Sequence, residues 1–456
     1  MERVTERELG NENERVEKTT QTTKQIIGLE KMQLRWALEA ADNGRPVAWC
    51  MVGVQPEIIR GFGIADVYPE NYAAIASAKR QVVPYLEVAE SRGFPSFLCS
   101  YARYGLGYTY RMLELDGKIP PSPAEVPWGG MARPDIMLGR AQCEPGYKWF
   151  QAMGEILDVP VFIHEQKCSR VNPGANPMMP YDDPGFREAL ISAEVRDNED
   201  MIAWISDKLK RKIDWDKVVE AIYHHNEMRR LWNGLFELRK AVPSPMPSED
   251  MVSALYPGYC LAGTQEAVDF YSDLYAEVKD RVDRKLCVIP GLEKEKYRLF
   301  WGGIGIWQYI GLYKFVQNFG AVFVAENNYY RDAFVETETD PQKDPLRALA
   351  ERHFHDSRLD VERARRYDIE DSRCGLVLEM IDEYGCDGAV LHFLISCRPV
   401  VVGWTNTHNV IRDRSGIPTL PLESDMCDPR SVSPAEIRNQ AERFLEAVDS
   451  CKQARK

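Results

Sequence analysis

The sequence contains no Gly-x-x-x-x-Gly-Lys-Ser/Thr, so the chain carries no P-loop of its own for a nucleoside triphosphate. It has no Cys-x-x-Cys, which removes zinc ribbons and ferredoxin-type cluster runs. No apolar run reaches the roughly 18–20 uncharged residues of a membrane span. The nearest, GAVLHFLISCRPVVVGW, is interrupted by His392, Arg398 and Pro399. Positive charge is scarce: 57 Lys and Arg face 70 Asp and Glu, for a net charge of −13, which argues against nucleic acid as a partner. The first twenty residues, MERVTERELGNENERVEKTT, lack the apolar stretch of a signal peptide, and the expected location is the cytoplasm. GFGIAD and GGIGIW are glycine-rich but miss the dinucleotide fingerprint. His224 and His225 are adjacent, and neighbouring helical positions do not face one another, so a two-histidine metal site is not expected there.

What is present is a large chain, 456 residues and 44% hydrophobic, enough for two or three domains. Residues 1–30 read as a charged extension. From 31 to 182, short apolar runs (PVAWCMVG, ARPDIMLG, DVPVFIHE) alternate with helical patterns such as YKWFQAMGEILD, the rhythm of a parallel sheet with crossover helices. Residues 183–249 read as a helical segment ending in the turn-rich AVPSPMPSED. From 250 to 456 the alternation returns, with KYRLFWGG, GAVFVAE, GAVLHFLIS and IPTLPLE as strands and AEIRNQAERFLEAVDS as a closing helix. No repeat at a fixed period is visible. The expected fold is α/β: two doubly wound, flavodoxin-like parallel-sheet domains whose strand C-terminal ends face a cleft.

Eleven cysteines in a chain without a secretion signal argue for free, catalytic or metal-bound thiols rather than disulfides. Cys50 reads as core, Cys287, Cys374 and Cys386 as isolated edge residues, Cys451 as tail, and Cys168 and Cys260 as loop residues. Cys99 stands at a loop-to-helix junction. Cys143 opens a helix just past one strand, and Cys397 comes directly off another, one from each half. A helix N-terminus and nearby cations lower a thiol pKa and favour the thiolate that soft metals require. These positions fit either inert buried thiols or a three-thiolate site that only folding could gather.

At these residues the sequence resembles the superfamily of 2-hydroxyacyl-CoA dehydratases and ATP-dependent (class I) benzoyl-CoA reductases, most of all the larger catalytic-module subunit of the reductases. The resemblance runs from about residue 34 to 450, through RPVAWCMVG, FLCSYARYGLG, RPDIMLGRAQCEPGYKWF, YPGYCLAGTQEAVDFYSDL, CDGAVLHFLISCRP and IPTLPLESDMCDPRSVSPAEIRNQAERFLEAV. It implies a [4Fe–4S] cluster held by Cys99, Cys143 and Cys397, with one iron left open. It implies low-potential one-electron reduction of a CoA thioester, either dearomatising the ring of a benzoyl-type group or expelling a hydroxyl from a 2-hydroxyacyl group. It also implies two kinds of partner: a smaller homologous cluster-binding subunit and separate ATP-hydrolysing iron–sulfur activator subunits. A non-catalytic scaffold subunit is the reading from a different class.

Around those ligands, Tyr101, Arg103, Tyr147 and Arg398 would tune the cluster's potential, and Arg398 would offset its charge. His164 and Glu165 end a strand and would supply protons at the cleft; a hydrogen-bonded histidine at a strand end is the other reading. Glu423 and Asp425 leave a strand as a carboxylate pair that either orients a partner or serves caps and loop hydrogen bonds.

Overall fold

The computed structural model describes residues 18–115, 125–141, 143–165, 179–327 and 335–455. Cys168 lies outside them, as do residues 1–17 of the charged extension. From Lys18 onward the chain is docked on itself. Thr20 donates from both its N–H and its hydroxyl to Asp250 Oδ2, at 2.7 and 2.9 Å, and the N–H groups of Gln21 and Thr22 donate to the Glu277 carboxylate.

The continuous apolar runs become strands because a parallel sheet covered on both faces needs no polar alternation. The first sheet contains β1 (Val47–Cys50), β2 (Ala65–Val67), β3 (Ile136–Arg140) and β4 (Val161–His164), all parallel, in the order β2-β1-β3-β4. The second contains β5 (Tyr297–Gly302), β6 (Ala321–Glu326), β7 (Gly388–Leu394) and β8 (Thr419–Ser424), all parallel, in the order β6-β5-β7-β8. The two orders are the same, as expected for two doubly wound sheets. In each, the chain reverses direction across the sheet between its first and third strands, which opens a crevice at the strand C-terminal ends. The interior strands β1, β3 and β5 are buried along their whole length, as is β6, whereas β8 at the opposite edge of its sheet is partly exposed.

Between the sheets run the helices Pro184–Leu209 and Trp215–Arg239, in the segment where helical periodicity dominates, then Ser248–Ser253, Leu255–Cys260 and Gln265–Asp283. Cys260, read as a loop residue, is the buried last residue of its helix. Two further helices, Pro345–Arg366 and Ser372–Glu383, were not anticipated. The first buries Glu351, Arg352, His355, Asp356, Asp360 and Arg363 beside Leu346, Leu349, Phe354 and Val361, so charged residues break into its apolar stripe. One core is continuous from β1 and β3 through the middle helices to the inner face of β5 and β7. A smaller cluster, with Leu299, Trp301 and Val390, lies beneath the closing helix Pro434–Ala454. No helix among the described residues is long and apolar enough to cross a membrane.

Candidate functional site

Six helices among the described residues begin on an oxygen side chain. Asp183, Asp214, Thr264, Asp344, Asp371 and Ser433 each accept a first-turn N–H, the usual way to satisfy the orphan donors. Three helices instead start on cysteine: Ser100–Glu114 on Cys99, Glu144–Leu157 on Cys143 and Arg398–Arg414 on Cys397. None of these sulfurs makes a full capping hydrogen bond. The third helical N–H in each case, from Ala102, Gly146 and Val400, nonetheless acts favourably on the sulfur. Three positive helix ends are thus aimed at three thiols.

The thiols share one site. Burial pushes Cys99 well above the ordinary thiol range, and the charges of Cys397 and Cys143 add to it. Burial pushes Cys143 up to about 11, followed by the charge of Glu70. Burial pushes Cys397 up to about 12, with Cys143, Glu70 and Asp425 adding. The expectation of a lowered thiol pKa is therefore not met. Desolvation outweighs the helix ends, and the free thiols stay protonated until something positive replaces the protons. All three are free of disulfides. Cys143 and Cys397 occupy equivalent places, each heading the helix after the third strand of its sheet with proline at the second helical position. The shared Cys-x-Pro was the available sequence signal for that equivalence.

The positions of the other expected residues differ. Arg103 is 1% exposed and bridges the halves: Nη1 donates to Glu90 Oε1 at 2.6 Å and Asp428 Oδ2 at 3.1 Å, and Nε donates to the Leu98 carbonyl. Tyr101 is buried, its hydroxyl accepting from Trp307 Nε1 of the other half. Tyr147 is half-buried in the first turn after Cys143, with Lys148 near its ring. Arg398 is exposed, its guanidinium 6.0 Å from the Phe97 ring. The cation that acts on Cys143 is Arg140 rather than Arg398. His164 is 1% exposed, and its Nε2 is within 3.0 Å of Asn198 Oδ1 and 3.1 Å of Asp197 Oδ2, while the Glu165 N–H donates to Asp197. That is the satisfied histidine at a strand end. Glu423 is exposed on β8 and Asp425 is 2% exposed, so they form no pair.

Asp425 instead helps set the distance between two thiol helices. Its Oδ1 accepts the N–H groups of Cys427 and Asp428, both at 2.8 Å, and its Oδ2 accepts from the Ser396 hydroxyl. Ser396 Oγ in turn accepts the Ser100 N–H at 3.2 Å. The residue before Cys397 thereby holds the residue after Cys99.

Two residues that sequence reasoning missed complete the site. Glu70, in the first turn after β2, is raised by burial to about 7, with Arg140 pulling it back, and its Oε2 has no hydrogen-bond partner. Arg140, the last residue of β3, is 4% exposed and lies across Gly53, whose backbone takes φ +88°; a Cβ at Gly53 would stand 1.7 Å from Arg140 Nη1. Neither residue belongs to a local motif. Cys427 is buried and lies close enough to Cys99 for the two thiols to interact. Among the described residues, no three His, Cys, Asp or Glu side chains close on a single metal ion.

The molecule is thus a duplicated parallel α/β scaffold that gathers thiols from both halves beside a carboxyl of raised pKa. The profile of the 2-hydroxyglutaryl-CoA dehydratase D-component family matches residues 51–448, and the chain belongs to that family. It is 24% identical over 425 residues to the alpha subunit of lactoyl-CoA dehydratase from Anaerotignum propionicum, covering 91% of this chain and 93% of that one. It is 26% identical over 420 residues to the (R)-2-hydroxyisocaproyl-CoA dehydratase alpha subunit of Clostridioides difficile, with coverage of 91% and 93%. It is 26% identical over 415 residues to a benzoyl-CoA reductase subunit of Thauera aromatica, covering 86% of each chain.

Proposed function

We propose that this chain is the cluster-bearing catalytic subunit of an enzyme that removes water from a 2-hydroxyacyl-CoA thioester. The observation that carries the reading is the convergence of Cys99, Cys143 and Cys397, in a chain whose full-length relatives include several 2-hydroxyacyl-CoA dehydratase alpha subunits. These relatives move the reading away from the reductase that the sequence suggested first. The donor set suits a [4Fe–4S] cluster: thiols free of disulfides, partly buried, at three helix N-termini that favour anionic sulfur. One thiolate per iron spreads the donors more widely than a single ion would, compatible with the lack of a single-ion site among the described residues. When bound, such a cluster supplies one low-potential electron to the thioester.

The chain's own residues would hold the reactants and handle protons. Glu70 Oε2, raised to about 7, can take a proton from substrate carbon and return one to departing hydroxide near neutral pH. Arg140 keeps that carboxyl within useful range. The Asp425–Ser396 pair holds the thiol helices in register. Without a P-loop, the chain would depend on separate ATP-hydrolysing iron–sulfur subunits for the electron, and on a smaller homologous subunit as partner.

The second reading is a benzoyl-CoA reductase type of subunit, favoured by the similarity to the Thauera aromatica reductase chain. The test is the anaerobic complex with partner and ATP-driven donor, given 2-hydroxyacyl-CoA esters and benzoyl-CoA in parallel. The expected product is a 2-enoyl-CoA from the hydroxy ester. A cyclic dienoyl-CoA from benzoyl-CoA would move the assignment to the second reading. Full iron and sulfide content with neither activity would leave the scaffold role.

A further inference from the structure

A hollow of about 660 Å³ opens on the first half of the molecule. Its lining includes Lys31, Arg35, Lys79 and Trp128, and none of the lining residues described is acidic. The volume lies within the roughly 300–1,000 Å³ common for ligand pockets. In a chain with 70 acidic and 57 basic residues, three cations gathered without a facing carboxylate are a local reversal of charge.

Trp128 organises these cations. Lys31 Nζ stands 4.4 Å and Lys79 Nζ 3.7 Å from the centroid of its ring. An indole attracts an ammonium through its quadrupole and carries no net charge, so it holds both lysines without neutralising them. Trp128 itself has φ +54° and ψ +24°, a left-handed backbone that a bulky residue keeps only where its surroundings impose it. Here its Nε1 donates to Glu30 Oε2 at 3.2 Å. Burial raises the Glu30 carboxyl to about 7, so near neutral pH it offsets only part of the lysine charge. Lys31 and Arg35 are exposed, and neither forms an ion pair with a carboxylate among the described residues.

One helix joins the hollow to the proposed reaction site. Glu70 lies in the first turn of the helix Pro69–Ala78, and Lys79 caps its other end. At about 1.5 Å per residue, the two stand roughly 14 Å apart along the axis. The residues of that helix that are not buried are Glu70, Asn71, Ala74, Ile75 and Ala78, and they run from one end to the other. Asn71 Oδ1 has no hydrogen-bond partner, which leaves an acceptor on that path. In a CoA thioester, the arm between sulfur and diphosphate has about as many chain atoms as four extended residues, a reach of roughly 13–14 Å.

We propose that this hollow holds the nucleotide end of the CoA thioester, with Lys31, Arg35 and Lys79 meeting its diphosphate and 3′-phosphate and the pantetheine arm following the helix Pro69–Ala78 to Glu70. The proposal rests on the acyl-CoA reading above and adds the site that recognises the carrier rather than the acyl group. Lysines positioned in advance by an indole lose little freedom on meeting a phosphate.

The test is calorimetric binding at low salt to the purified full-length chain with its partner subunit. The ligands are pentanoyl-CoA, pentanoyl-pantetheine, which lacks the nucleotide, and ADP. Pentanoyl-CoA should bind at least about tenfold more tightly than pentanoyl-pantetheine, and the gap should narrow as salt screens the phosphates. The double variant Lys31→Gln, Arg35→Gln changes two exposed side chains. It should bring the ratio toward one and leave pentanoyl-pantetheine binding unchanged. An undiminished preference for the CoA ester in that variant overturns the proposal, because the nucleotide then binds elsewhere. Equal binding of the two esters by the unaltered chain also overturns it. ADP binding as tightly as pentanoyl-CoA, and lost in the double variant, would give the hollow to a free nucleotide instead. A double variant that binds both esters as before but separates from its partner subunit on gel filtration would give it to an acidic face of that subunit. Failure of the unaltered chain to bind either ester sinks the acyl-CoA reading itself, a different result from loss of the preference.

Discussion

The two halves share a strand order and a Cys-x-Pro at the start of the helix after the third strand, yet they surround those cysteines differently. The first half adds a further thiol, Cys99, a carboxyl of raised pKa, Glu70, and a cation, Arg140. The second half adds a buried carboxylate, Asp425, whose oxygens are all spent on Ser396 and on backbone N–H groups. A carboxyl with an unpartnered oxygen can exchange protons, whereas one saturated by hydrogen bonds can only hold a position. The duplicated scaffold thus supplies equivalent thiol positions with different surroundings, a carboxyl of raised pKa in the first half and one saturated by hydrogen bonds in the second.

The largest effect expected from breaking that comparison comes from the thiols themselves. Cys143→Ala and Cys397→Ala should each remove most of the iron–sulfur absorbance of anaerobically purified protein, and Cys99→Ala should do the same. Cys50→Ala and Cys451→Ala should not. Full iron content in all three variants would undo the ligand assignment, and loss in only one half would show that the equivalence ends at topology.

Glu70→Gln sharpens the difference between the two carboxyls. Turnover should fall on the order of 10²-fold, the usual worth of a positioned proton-transfer group, with iron content unchanged. The same variant has a stability signature. The folded carboxyl titrates near 7, above its unfolded value, so the native state binds more protons between about pH 4.5 and 7 and loses stability as pH rises through that window. Glu30 and Glu249 are also raised to about 7 by burial, so Glu70→Gln should flatten only part of that decline in a series of denaturation curves.

Arg103→Met tests the bridge between halves. It leaves Glu90 and Asp428 paired only with the partly exposed Arg430, and unfolding by denaturant should show a loss of about 2 kcal/mol, the scale of lost hydrogen bonds to charged groups. Ser396→Ala removes the link between Asp425 and the Ser100 N–H. It should cost about 1 kcal/mol and broaden the cluster's EPR signal more than it lowers iron content. An unchanged spectrum would mean that the thiol helices hold their register without it.

The strands were legible because burial on both faces writes itself as uninterrupted apolar sequence, as in VAWC, IMLGR and AVFVAE. The helix Gln265–Asp283 was legible from its apolar stripe. The helix Pro345–Arg366 was not, because charged residues break into its apolar buried face and find their partners on other elements: Arg352 at Glu57 and Asp356 at Arg229. Local sequence thus determined the elements, their order and the candidate thiols. Tertiary structure decided what those thiols face. Glu70, Arg140 and Asp425 come from three separate strand ends, and whether a carboxyl there keeps its proton or a thiol its hydrogen depends on desolvation and on neighbours distant in sequence. No local pattern encodes those two quantities, because both exist only after the sheets have closed over the site.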